Sequence, residues 1–189
     1  MFDRELKYIE NDDFRKSVEV VINNLPEYFG HVAASSTGKY HPKFSLGDGG
    51  LVRHTKAAVR IAYELLQLEQ YNKFESWQRD IIYGALIVHD GLKHGYTMSQ
   101  YTQAEHPMYM HNFIEDLYKE GKLFCREDDM IIWSDAVASH MGQWNTSYKT
   151  GEEILPKPIS DLEQFVHLCD YLASRKFLDI EFVNGEING

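Results

Sequence analysis

Four histidines and an aspartate stand where apolar residues belong. Hydrophobic periodicity predicts helices over 50–68, 75–89, 105–120, 128–141 and 160–175. His54 shares a face with Ala58, Ile61 and Leu65, and Leu51 and Ala62 complete that apolar stripe. His89 shares one with Ile82, Ala85 and Leu86, and His106 with Met110, Phe113 and Leu117. His140 falls beside Trp133, Ala136 and Val137, and Asp170 beside Val166, Ala173 and Phe177. A further carboxylate, Asp90, follows His89 about 100° round the helix axis. Any fold that buries these stripes also buries the polar groups on them.

Taken singly, each has an ordinary reading: a hydrogen-bonded core histidine, a capping aspartate, a turn residue before Gly91. Together they are harder to place, because an unpaired buried carboxylate is costly. One divalent centre, or two, compensates them all at once. Neutral imidazole and carboxylate are the usual ligands of zinc, manganese, iron and related ions. The two oxygens of Asp90 allow it to bridge two ions.

The rest of the chain is consistent with a helical protein. Asn11 or Asp12 caps a helix reaching about Asn24, before Pro26. Residues 30–50 and 142–158, rich in glycine and proline, read as loops. Ser160 with Glu163 forms a capping box. The tail "FLDIEFVNGEING" reads as a short helix, a frayed end or a small hairpin at "VNGEI".

Composition narrows the function. The formal net charge of -10 argues against a broad nucleic-acid surface, though not against a small nucleotide in a locally positive site. No apolar run approaches the roughly 20 residues of a membrane helix, and the acidic N-terminus lacks a secretory signal's apolar stretch. Two cysteines, Cys125 and Cys169, form no disulfide framework, so a reducing, cytoplasmic setting is expected. Neither lies in a phosphate-cradling loop followed by arginine, which argues against a cysteine phosphatase. A zinc finger is excluded by the lack of paired cysteines.

The ordered set "GGLVRHT", "ALIVHDGLK", "EHPMYMHNFI", "AVASHMG" and "FVHLCDYLASR" resembles the HD-domain metal-dependent phosphohydrolase superfamily over about residues 45–180. The HD portion of the YhaM-type 3'-5' exoribonucleases shares the Gly-Gly-Leu lead and the Ser-His-x-Gly segment. No part of these residues reads as the nucleic-acid-binding OB domain of those enzymes, so an RNA substrate does not follow. The resemblance implies a single all-α domain, 1–189, a helical bundle with a metal centre between the helices. His54, His89, Asp90 and Asp170 would hold one ion, and His106 and His140 would complete a site for a second. The ions expected are manganese, iron, zinc, cobalt, nickel or magnesium. His111, roughly 140° round the helix from His106, is the competing ligand.

The activity implied is hydrolysis of a phosphomonoester or phosphodiester, such as a nucleotide or other small phosphate ester, by a metal-bound hydroxide. Asp90 would hold the nucleophile, and Lys93, one turn on, would neutralise phosphate or the leaving group. Lys39, His41, Gln143 and Trp144 are further candidates for substrate contact, with Ser36 and Lys43 in the same loop as Lys39. Trp144 either stacks a base or covers its loop. Arg175 and Lys176 face either the cleft or solvent, and Arg53 and Lys56 point away from His54. The same six ligands would serve a di-iron oxygenase of this fold, or a metal-stabilised regulatory module without catalysis. Substrate, native metal and oligomeric state stay open.

Overall fold

In the computed structural model six α-helices run in chain order among the described residues: α1 Asp12–Asn23, α2 Gly50–Leu65, α3 Ser76–Val88, α4 His106–Lys119, α5 Glu127–Ala138 and α6 Asp161–Ala173. Described are residues 1–35 and 37–178, with the backbone of 182–183 and 186–187. The protein is an all-α bundle. Its tail adds a 3-10 turn at Lys176–Leu178 and a minimal antiparallel pair, β1 Phe182–Val183 with β2 Glu186–Ile187. The hairpin reading of "VNGEI" is thus met in its paired strands, while its turn residues lie outside the described set.

The starts of the helices follow from local chemistry. Asn11 Oδ1 accepts the Asp13 and Phe14 amides at 3.0 and 2.9 Å, so Asn11 is the cap of α1. Ser160 and Glu163 close their capping box on α6. Glu75 and Gln78 close another on α3. Such caps contribute about 1 kcal/mol each.

α3 occupies the centre. Its run from Asp80 to Val88 is buried on every side, and the helix packs against α1, α2, α5 and α6. A helix that is apolar all round has no solvent face to offer and belongs inside. Gly84 permits the close approach of α1: a Cβ there would lie 2.7 Å from the Phe14 ring. Phe14 in turn meets the fully buried Trp133 of α5 edge-on at 5.1 Å. Asp80, buried at the start of this run, accepts the Glu10 and Asn11 amides at 2.7 and 2.9 Å and ties the N-terminal segment to α3.

Three details differ from the periodicity. The buried stripe of α2 runs through Leu51, His54, Ala58, Val59 and Ala62 to Leu66, leaving Ile61 and Leu65 half-buried, because α2 packs against both α3 and α6. Phe177 lies past the end of α6 and is 64% exposed. The helix predicted to continue to Met141 ends at Ala138, where Ser139 leaves helical geometry and a turn carries the chain to Gly142 at φ +60°. Among the described residues no helix is long and apolar enough to cross a membrane.

Candidate metal centre

Three of the inward histidines sit at helix ends, not in helix interiors. His89 is the residue that closes α3, His106 opens α4 ahead of Pro107, and His140 lies in the turn after α5. Each has Nδ1 at 2.7 Å from the carbonyl three residues back: Leu86, Gln103 and Val137 respectively. A carbonyl only accepts, so Nδ1 carries the proton in all three rings. In the neutral imidazole the Nε2 lone pair is then left facing inward, the tautomer that a metal ligand requires.

These ring nitrogens converge on Asp90. Its Oδ1 lies 2.9 Å from His106 Nε2 and 3.8 Å from His140 Nε2. Its Oδ2 lies 3.4 Å from His89 Nε2 and 3.9 Å from His54 Nε2. Asp170 Oδ1 joins that second group, 2.9 Å from His54 Nε2 and 3.4 Å from His89 Nε2. One carboxylate therefore stands between two sets of nitrogen donors, presenting a different oxygen to each.

The cluster fits a cation. His106 Nε2 and His140 Nε2 face each other at 3.3 Å, and with both Nδ1 atoms protonated two lone pairs meet there unless a proton or metal ion lies between them. His89 Nε2 and Asp90 Oδ1 are buried without a well-formed hydrogen bond among the described residues. Three groups have ligand atoms mutually within 4.8 Å: His54, His89 and Asp90; Asp90, His106 and His140; His89, His140 and Asp170. Such buried groups could hold a metal ion. His111 is not among them: it faces Glu115 at 3.4 Å and Asp135 at 3.8 Å, so His106 is the histidine of this helix at the cluster.

Charge is unevenly distributed through the site. Burial opposes ionisation of Asp90, but Lys93 and His89 outweigh it and hold the carboxyl well below its usual range. For Asp170 the opposing burial is overcome by hydrogen bonds from His54 and His89. Burial disfavours the His89 cation too, yet Asp90 and Asp170 push it up to about 10. His140, buried beside His89 and His106, falls to about 3.

A cleft of about 520 Å³ opens over the cluster, with His54, Asp90, His140 and Asp170 among its lining residues. Lys93 also lines it, its Nζ 2.6 Å from Asp90 Oδ2. His41 reaches the cleft half-buried, its ring centroid 5.8 Å from that of His54, and burial followed by the nearby Lys93 lowers it to about 4. Trp144 stands in the wall, stacked on Tyr171 at 5.5 Å and 12°.

No family model, curated protein or solved structure matches this chain. The geometry itself therefore carries the functional argument.

The remaining candidates separate on position. Gln143 is exposed and lies outside the cleft lining, as does Lys39, whose Nζ rests over the Tyr40 ring at 5.0 Å. Ser36 lies outside the described residues, and Lys43 is not a lining residue. Arg53 donates to the Phe44 and Leu46 carbonyls and braces the loop before α2, while Lys56 lies over Phe2 at 5.8 Å. Arg175, left unassigned by the sequence, lines the cleft together with Tyr40 and Tyr171, and exposed Lys176 does not. The available signal was the spacing: Tyr171 and Arg175 are four residues apart, on neighbouring turns, directly after Asp170. His167 was also missed. Its Nδ1 donates to the His140 carbonyl at 2.7 Å and so supports the turn bearing that histidine.

Proposed function

We propose that the protein is a metal-dependent phosphohydrolase of the HD-domain type, acting on a nucleotide or another small phosphate ester. The observation that carries the reading is the placement of Asp90, with Oδ1 toward His106 and His140 and Oδ2 toward His54 and His89. That division favours two divalent ions sharing one carboxylate: His54, His89, Asp90 and Asp170 would hold the first, and Asp90, His106 and His140 the second. When bound, such ions supply water acidified towards about pKa 7 and relief of charge on phosphoryl oxygens.

The chain's own residues do the rest. Asp90 stays an anion and fixes the spacing between the two donor sets. Lys93 reaches the cleft beside that carboxylate and is placed to balance charge on a phosphoryl oxygen or to protonate a leaving oxygen. The three backbone carbonyls that receive Nδ1–H bonds fix each ring before any ligand arrives, so little reorganisation accompanies binding. The cleft volume falls within the range of small-molecule sites, and its aromatic wall suits a planar ring.

The test is metal analysis of the purified protein, followed by anaerobic and aerobic assays of nucleotides and phosphodiesters with manganese, cobalt, nickel, magnesium, zinc and iron. Phosphate-ester cleavage without oxygen, lost in His89→Ala and Asp90→Ala but retained in His31→Ala, supports the proposal. His31 is exposed, faces Asp48 at 3.3 Å and does not line the cleft, and so serves as the control. Iron content with an oxygen-dependent product would replace hydrolysis by oxygenation. A metal requirement for folding without turnover would make the centre structural.

A further inference from the structure

The cleft contains two cations in very different states. Lys93 is already compensated by Asp90 at 2.6 Å. Arg175 is not: among the described residues no carboxylate pairs with it. Its Nε donates to Ser174 Oγ at 2.9 Å, and its guanidinium carbon lies 4.7 Å from the ring centre of Tyr171, 5.6 Å from Tyr40 and 5.8 Å from Trp144. Three aromatic faces and one hydroxyl hold a half-buried charge without neutralising it.

A guanidinium fixed in this way has spent little of its hydrogen-bonding capacity. The planar fork matches a phosphate or carboxylate through two parallel N–H bonds, and a pre-set side chain loses less entropy on making them. The aromatic fence has a second consequence. Trp144 is 45% exposed although it stacks on Tyr171, so ring surface remains open beside the charge. Ring surface and an unpaired guanidinium occur together on the wall of the cleft that also contains the His/Asp cluster.

We infer that Arg175 is the receptor for a second, non-reacting anionic group on the substrate, and that the substrate class is a ring-bearing phosphate ester with two anionic groups. This rests on the phosphohydrolase reading for the reacting ester, but Arg175 acts at a different point on the ligand. Anion binding at Arg175 and ring stacking on Trp144 select the substrate, while the reacting ester lies over the cluster. The distinction predicts a preference that the metal ligands alone do not produce.

The experiment compares a nucleoside 3',5'-bisphosphate with the corresponding nucleoside 5'-monophosphate, on the full chain loaded with manganese. The wild-type protein is expected to favour the bisphosphate in kcat/KM by at least about tenfold, the weight of one well-formed charged contact. Arg175→Gln should erase most of that preference, mainly through KM, and Arg175→Lys should retain part of it because charge survives while the fork is lost. Calorimetric binding of both nucleotides to the same three proteins gives a readout that needs no turnover. A bisphosphate preference in binding that disappears in Arg175→Gln supports the inference even where neither compound is cleaved, an outcome that overturns only the phosphohydrolase reading. Equal affinity of the wild-type protein for both nucleotides, or an unchanged preference in Arg175→Gln, overturns the inference even where cleavage proceeds.

Discussion

Nζ of Lys93 sits 2.6 Å from Oδ2 of Asp90, the same oxygen that faces His89 at 3.4 Å and His54 at 3.9 Å. A metal ion bound at this cluster would therefore compete with the ammonium for one carboxylate oxygen. Removing the ammonium should help the ion and harm catalysis. Lys93→Met is expected to bind manganese several-fold more tightly by calorimetry while phosphate-ester turnover falls by about tenfold or more, in the range of a lost charge or proton-transfer contribution. A variant that binds metal more weakly would show Lys93 to be a structural support of the site.

The two oxygens of Asp90 divide the ligands, so their loss should be felt separately. His106→Ala or His140→Ala removes a donor from the Oδ1 side and is expected to reduce bound metal from two ions to one, with the fold retained. His54→Ala acts on the Oδ2 side. His111→Ala should leave the stoichiometry at two, since its ring faces Glu115 and Asp135. Elemental analysis after dialysis against dilute zinc reads all four. Full metal content in His140→Ala would mean that the second donor set does not bind an ion.

Most helix positions and inward faces were legible because they depend on spacing, with Ile61, Leu65 and Phe177 the exceptions. Spacing alone thus groups His54, His89, His140 and Asp170 with His106 or its competitor His111, and offers Asn11 or Asp12 and Ser160 as caps. Ring orientation was not legible. It depends on Nδ1 reaching a carbonyl three residues back at the ends of helices, and periodicity does not mark whether His140 lies inside α5 or beyond it. The cleft wall was equally hidden: Tyr40 and Arg175 are 135 positions apart in sequence (175 minus 40) and meet only through the path of the loop before α2. Gln143 and Lys39 were near the right segments, but neither side chain lines the cleft, since sequence proximity to a ligand does not fix side-chain direction.

The imidazoles also set a pH signature. His89, pushed up to about 10 from an ordinary 6.5, holds a proton in the folded chain that the unfolded chain has lost between those values. Its contribution to metal-free stability is complete below 6.5 and lost as pH rises through about 10. His140, lowered to about 3, acts in reverse: its contribution is present above 6.5 and declines as pH falls towards 3. Asp90 and Asp170 add to that acidic decline, because their contribution is present above the ordinary 3.8 and lost below it. Metal-free protein should be most stable near neutrality and weaken on both sides in thermal melts recorded with a chelator. An ion at His89 Nε2 displaces its proton, so metal affinity should climb with pH above 7, and binding at mildly alkaline pH should release about one proton. Calorimetry in buffers of different ionisation enthalpy measures that release, and proton-free binding would contradict a charged His89.

Gly142 and His167 form the other support of the cluster, and a double-mutant cycle can isolate it. Gly142 has φ +60°, and a Cβ there would lie 2.3 Å from the His167 ring, whose Nδ1 donates to the His140 carbonyl. Gly142→Ala thus carries two penalties. Left-handed geometry costs about 1–2 kcal/mol for a residue with a Cβ, and the collision displaces the ring that supports the turn. His167→Ala removes the ring and its hydrogen bond, at a cost of about 1 kcal/mol. Once the ring is absent, only the backbone penalty remains for Gly142→Ala. The double variant should therefore be less destabilised than the sum of the singles by about 1 kcal/mol or more, as expected for residues in contact. Denaturant unfolding of the four proteins reads the coupling. Strict additivity would mean that the ring yields without strain and that the turn holding His140 does not depend on it.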